Sequence, residues 1–121
     1  RGLRSQLDLL PTVLDLVAAD WTGSLPGSSI LSAPGHDRVA TYCWYESRCA
    51  SLRWGKLKFI YHFDALPTEV YDVVEDPREL RNIAGELPQQ IINSAVARIQ
   101  AQKRLVDGYY AKSRESAHAV E

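Results

Sequence analysis

Between Arg38 and Val74 the chain turns aromatic and β-branched, and this block constrains the fold more than any other feature. Residues 39–45, 50–54, 57–63 and 68–73 read as strands bounded by turn signals. Trp54-Gly55-Lys56 reads as a tight hairpin turn, because glycine reaches positive φ without steric cost. The third strand mixes Lys56, Lys58, Tyr61 and Phe63 with Leu57, Phe59 and Ile60, which suits a sheet with one solvated and one covered face. The cover is expected from a helix opened by Leu87-Pro88 and running to about Lys112. Its stripe of Ile92, Val96, Ile99, Val106 and Tyr110 is broken at Lys103, with Ile91 and Ala95 beside it.

A second periodic segment lies at the start. Leu7, Leu10, Leu14 and Val17 recur at helical spacing, Ser5 or Asp8 can cap the helix, and Pro11 is tolerated in a first turn. Residues 20–37 carry Gly23, Pro26, Gly27, Pro34 and Gly35 among serines, a loop composition. The expected fold is α+β: a four-stranded antiparallel sheet packed by a long C-terminal helix, plus an N-terminal helix. Residues 1–121 are expected to form a single domain, with a linking helix at 1–19, a loop at 20–37, the sheet at 38–74 and the helix at 87–112. Ser113 to Glu121 is polar and expected to fray.

Bulk properties narrow the function classes. With 45% hydrophobic and 24% charged residues the chain is ordinary for a globular protein. A net charge of −1 gives the whole chain no electrostatic reason to seek nucleic acid or an anionic membrane. No apolar run approaches the roughly 20 residues that span a bilayer. The sequence has no Met and its N-terminus lacks the order of a signal peptide, so a fragment of a longer protein is expected.

Motifs add a more specific reading. Glu69-Val70-Tyr71-Asp72 leads into an acidic turn fixed by Asp76-Pro77, followed by Glu79, Asn82, Ile83 and Ala84. Upstream lie Leu52-Arg53-Trp54-Gly55-Lys56-Leu57-Lys58-Phe59-Ile60, the turn Gly27-Ser28-Ser29-Ile30-Leu31, and Asp8-Leu9-Leu10-Pro11-Thr12-Val13-Leu14. In this order, over residues 7–84, the four segments resemble the C-terminal part of the sulfatase family in the alkaline-phosphatase superfamily. The resemblance implies a parent enzyme that hydrolyses sulfuric esters with a divalent metal, calcium, and a formylglycine hydrate as nucleophile. It places both groups upstream of this chain. The fragment alone is thus expected to be inactive, with a structural or substrate-mouth role and the upstream catalytic domain of the same parent as partner. Two alternatives stand beside it: the tail of a sister phosphodiester or phosphonate hydrolase, and a non-enzymatic partner-binding module.

No catalytic, cofactor-binding or metal-binding residue is assigned within the chain. Cys49-Ala50-Ser51-Leu52-Arg53 imitates the family's Cys-x-Pro-x-Arg nucleophile motif, but Ser51 replaces the proline and Cys49 opens a strand instead of a helix. Asp72, Glu75, Asp76 and Glu79 lack the glycine and ligand spacing of a calcium loop and read as a solvated acidic turn. His36-Asp37 lies in a Gly/Pro loop, and His62 and His118 lack ligand-spaced partners. Cys43 and Cys49 lie symmetrically about Glu46, so a hairpin there would set them face to face, as a disulfide or as two free thiols. Trp21, Trp44, Trp54, Tyr42 and Tyr45 are open to three readings: sheet–helix packing, a sugar or partner surface, or a face once covered by the catalytic domain. A homo-oligomer is expected to form through residues 3–18, where a severed subdomain would bare apolar surface.

Overall fold

The structure is a computed structural model that describes residues 2–17, 25, 27–43 and 48–118. The chain forms two compact units, Arg1–Val39 and Ala40–Glu121.

In the first unit a 3-10 turn, Gln6–Asp8, runs directly into helix α1, Leu9–Val17. Ser5 is the N-cap. Its hydroxyl accepts from the Leu7 amide, and the Asp8 carboxylate reaches back to the Ser5 amide at 2.9 Å, giving a reciprocal capping box. Leu3 and His36 form an antiparallel bridge through two backbone bonds of 2.9 and 2.8 Å. Gly27 has no room for a side chain, because a Cβ there would stand 2.0 Å from the Leu7 carbonyl oxygen. That close approach brings the Ser28 amide to Asp8.

The expected sheet, in the order β1-β2-β3-β4, belongs to the second unit except for Arg38 and Val39 at the start of β1. Its strands are β1 (Arg38–Tyr42), β2 (Cys49–Trp54), β3 (Leu57–His62) and β4 (Glu69–Asp72). β2 and β3 are antiparallel with Leu52 opposite Phe59, and β3 and β4 are antiparallel with Phe59 opposite Val70. Gly55 turns the β2–β3 hairpin at φ 59°, a conformation that costs any other residue steric strain. Helix α2 spans Gln89–His118, past the Lys112 at which the sequence pattern was expected to close.

Pleating sends alternate side chains to opposite faces. One face supplies Ala50, Leu52, Phe59 and Val70, which form a single buried cluster with Ile92, Ala95 and Ile99 of α2. Trp54, Leu57, Tyr61 and Phe63 pack at its margin. Trp54 therefore serves the core, while Trp21, Trp44 and Tyr45 lie outside the described residues. The break in the α2 stripe at Lys103 has a physical reason. Its ammonium lies 5.4 Å from the centre of the Phe63 ring and 2.8 Å from Asp107, so the helix ends its packed stretch with a cation over an aromatic face.

Cys43 and Cys49 are joined as a disulfide, with Cα atoms 5.2 Å apart. In this structure the pair is a disulfide and not two free thiols. The bridge ties the end of β1 to the start of β2, beside the bond from the Cys43 amide to the Cys49 carbonyl at 3.0 Å.

Candidate functional site

The face of the sheet opposite the core is polar. The register aligns Ser51 with Ile60, Arg53 with Lys58, Lys58 with Tyr71, and Ile60 with Glu69, while His62 ends β3. Glu69 is the centre of this face. One of its carboxylate oxygens accepts from His62 Nε2 at 2.8 Å and the other from the Tyr71 hydroxyl. The Tyr71 hydroxyl and then His62 hold the Glu69 carboxyl below its ordinary range. Reciprocally, the bond to Glu69, followed by burial, pushes the Tyr71 phenol up to about 12. Lys58 Nζ lies 2.8 and 2.7 Å from the two Glu79 oxygens, and the Thr41 and Ser51 hydroxyls are 2.6 Å apart.

Chemically, this face is self-satisfied. Glu69 is engaged by two donors, and the Ser51 hydroxyl is bonded to that of Thr41. The sulfur of Cys49 is tied up in the disulfide, so the Cys49-to-Arg53 pattern presents no thiolate. A nucleophile needs a base within hydrogen-bond reach or a depressed pKa. Among the described residues, no group of three or more His, Cys, Asp or Glu side chains could hold a metal ion.

The acidic turn after β4 shows how the sequence motif is built. Asp72 Oδ1 accepts from the amides of Val74 and Glu75, both at 3.2 Å, and its other oxygen meets Lys56 Nζ at 2.7 Å. Lys56 foremost, with those amides, holds the Asp72 carboxyl low, and Asp72 in turn raises the Lys56 ammonium. Asp76 Oδ2 accepts from the Arg81 amide at 2.8 Å. Glu79 adopts φ 55°, unusual for a residue with a side chain, and its carboxylate is anchored on Lys58. Asn82 Oδ1 accepts from both Val70 and Ala84 amides, at 3.0 and 2.9 Å, and the Ile83 amide donates to the Val70 carbonyl at 2.8 Å. Asp72, Asp76 and Asn82 each close backbone bonds. Asn82 does the most, since it pairs an amide of a fully buried strand residue.

In the first unit the structure assembles a group that the sequence pattern did not bring together. Asp8 is fully buried and accepts from the Ser5 amide, the Ser28 amide at 3.0 Å and His36 Nε2 at 2.9 Å. The two amides, then His36, hold its carboxyl well below the usual carboxylate range, against the opposing effect of burial. Ser5-x-x-Asp8 is a capping-box signature that signals the local half of this arrangement. Nothing local signals His36, which joins from 28 residues away.

No family model matches the chain. Arylsulfatase K of Danio rerio is 33% identical over 99 residues, covering 69% of this chain and 19% of that protein. Among solved structures, a protein assigned as a sulfatase from Bacteroides thetaiotaomicron VPI-5482 aligns over 95% of this chain and 26% of its own, with 25% identity and a TM-score of 0.54. A second, solved in complex with its substrate D-glucosamine-2-N,6-O-disulfate, aligns over 80% of this chain and 23% of its own. Its 22% identity and TM-score of 0.59 mark a shared fold. The chain is a sulfatase-family C-terminal region. It spans about a fifth of the curated relative's length and about a quarter of these solved chains.

Proposed function

We propose that this sulfatase-family region is the non-catalytic C-terminal scaffold of a sulfuric-ester hydrolase. It supports the end of the enzyme and contributes its polar sheet face to the substrate mouth. The observation that carries this reading is the 33% identity to an arylsulfatase over most of this chain but only 19% of that protein. The divalent metal and formylglycine that such a parent implies do not fit the residues described. Asp72, Asp76 and Glu79 are committed to turn bonds and ion pairs, and Cys49 is oxidised. The nucleophile and the metal ligands are therefore assigned to the part of the parent outside this chain, with the catalytic domain as the intramolecular partner. Within this chain Glu69 fixes His62 and Tyr71 in one orientation, and the Lys58–Glu79 pair holds the neighbouring turn. Such preorganisation is what a wall of a binding cleft requires.

The test is turnover of 4-nitrophenyl sulfate by the purified 121-residue chain and by the longer polypeptide that contains it. Turnover is expected from the second alone. Turnover by the isolated chain that disappears in Cys49→Ala would overturn the reading.

A further inference from the structure

The disulfide does not stand alone on its face of the sheet. Cys49 pairs directly with His62 across β2 and β3, so both side chains leave the same face, with Cβ atoms about 4.5–5.5 Å apart. The bond from the Phe63 amide to the Arg48 carbonyl, at 2.8 Å, continues the ladder beyond that pair. The backbone therefore holds Cys49 beside His62 whether or not the disulfide is closed. Cys43, by contrast, follows the edge strand β1. Behind His62 stands Glu69, 2.8 Å from Nε2, and behind Glu69 the Tyr71 hydroxyl. The Tyr71 hydroxyl and then His62 favour the ionised form of Glu69, whose oxygens then only accept, so His62 Nε2 carries the proton of their bond. The neutral ring has its lone pair on Nδ1, which is how a carboxylate prepares an imidazole to act as a base. Lys58 is the other charge acting on Glu69, and it is itself paired with Glu79.

We infer that Cys43–Cys49 is a redox-active disulfide, opened by a dithiol, in which Cys49 is the reactive sulfur and the His62–Glu69 pair sustains its thiolate. A thiolate is the working form of cysteine, and a neighbouring imidazole favours it both as nucleophile and as leaving group. Both cysteines are half-buried rather than enclosed, so a small attacking thiol has access. In the first step a thiolate of the dithiol attacks Cys43 Sγ. The bond between the two cysteine sulfurs breaks and its electron pair leaves on Cys49, beside His62. The second thiol of the reductant then attacks the mixed disulfide, closes its own ring and releases Cys43. The reductant gives up two electrons and two protons, and the two cysteines take them. Reduction removes the covalent tie between the end of β1 and the start of β2 and leaves the bond from the Cys43 amide to the Cys49 carbonyl at 3.0 Å. The redox state thereby sets how firmly the edge strand is held, a property separate from the scaffold role.

The test compares the two sulfurs within the 121-residue chain. Because the chain has two cysteines, Cys43→Ser and Cys49→Ser each leave a single thiol. Alkylation by iodoacetamide is followed from about pH 5 to about pH 10, on either side of the ordinary thiol value of about 8.5. Near pH 6 the Cys49 thiol is expected to react roughly tenfold faster than the Cys43 thiol, because more of it is thiolate. In the Cys43→Ser background, His62→Asn should bring the Cys49 rate near pH 6 down to that of Cys43 and leave the rate near pH 10 unchanged. Glu69→Gln, which keeps the side-chain shape, should lower it in the same direction by a smaller factor. In the wild type, glutathione trapped by acid quenching should be found on Cys43 by mass spectrometry. Equal rates for the two thiols near pH 6 overturn the inference, as does a Cys49 rate that neither variant lowers. Glutathione trapped on Cys49 overturns it too, and so does a disulfide that persists in excess dithiothreitol under native conditions.

Discussion

The two units are built on opposite principles. Residues 40–121 bury an apolar cluster around Phe59, Val70 and Ile99 and turn charged groups outward, as a self-sufficient small domain does. The first unit buries a carboxylate, Asp8, and turns its leucines outward. The lesson is that hydrogen bonding can fix the orientation of a helix against the pull of its own apolar side. A unit organised this way is specified by a few polar bonds, so it should be locally labile. The sheet and α2, with many dispersed packing contacts, should be globally stable.

The largest effect expected is in the second unit. Phe59→Ala removes a fully buried ring from the centre of β3 and should cost about 3–5 kcal/mol, the range for deleting a core aromatic. Denaturant melts of the wild type and variant measure it. A loss below about 1 kcal/mol, the size of an ordinary surface change, would mean that the sheet is not the stable partner in the comparison.

Asn82→Ala comes next. It leaves the Val70 and Ala84 amides without their side-chain acceptor, and an orphaned buried donor costs about 1–3 kcal/mol. Asp76→Ala should cost about 0.5–2 kcal/mol, because the loss of the oxygen that accepts from Arg81 is equivalent to losing a cap. If Asp76→Ala proves the costlier of the two, the turn and not the strand junction governs the motif.

The last effect is a pH dependence, which is small near neutral pH and grows with acid. Asp8, Glu69 and Asp72 all have folded values below their ordinary ones. A depressed carboxylate contributes stability that is present above its unfolded value and lost as pH falls through its folded one. Melting temperature should therefore decline below about pH 4, where unfolded Asp and Glu begin to take up protons. Asp8→Asn should flatten that decline for the first unit without altering it for the sheet. Identical acid profiles for the two proteins would remove Asp8 from its central place.

Much of the second unit was legible because its signals are local. Gly55 between two β-rich runs dictates a hairpin, and Ile92, Ala95 and Ile99 recur on one helical face that the sheet must cover. The Glu69-to-Ala84 resemblance was readable as a motif, but the purpose of each letter appeared only with the backbone bonds that Asp72, Asp76 and Asn82 close. The disulfide was open on sequence, since symmetry about Glu46 permits a facing pair without requiring oxidation. In the first unit, Leu7, Leu10, Leu14 and Val17 announce a helix but not which way it points. That direction is set by Gly27, whose missing side chain admits the Ser28 amide, and by His36, both distant in sequence from Asp8. Periodicity carries no information about such partners.

The most direct measurement of the contrast is native-state hydrogen exchange on the intact 121-residue chain, followed amide by amide. Amides of β3, with Phe59 at the centre, are expected to exchange only through global unfolding. Those of α1, including Leu14 and Leu16, should open through a smaller, separate fluctuation that Asp8→Ala accelerates while β3 protection stays unchanged. Equal opening free energies for α1 and β3, rising and falling together in Asp8→Ala and Phe59→Ala, would contradict the division into a labile, polar-centred unit and a stable, apolar-centred one.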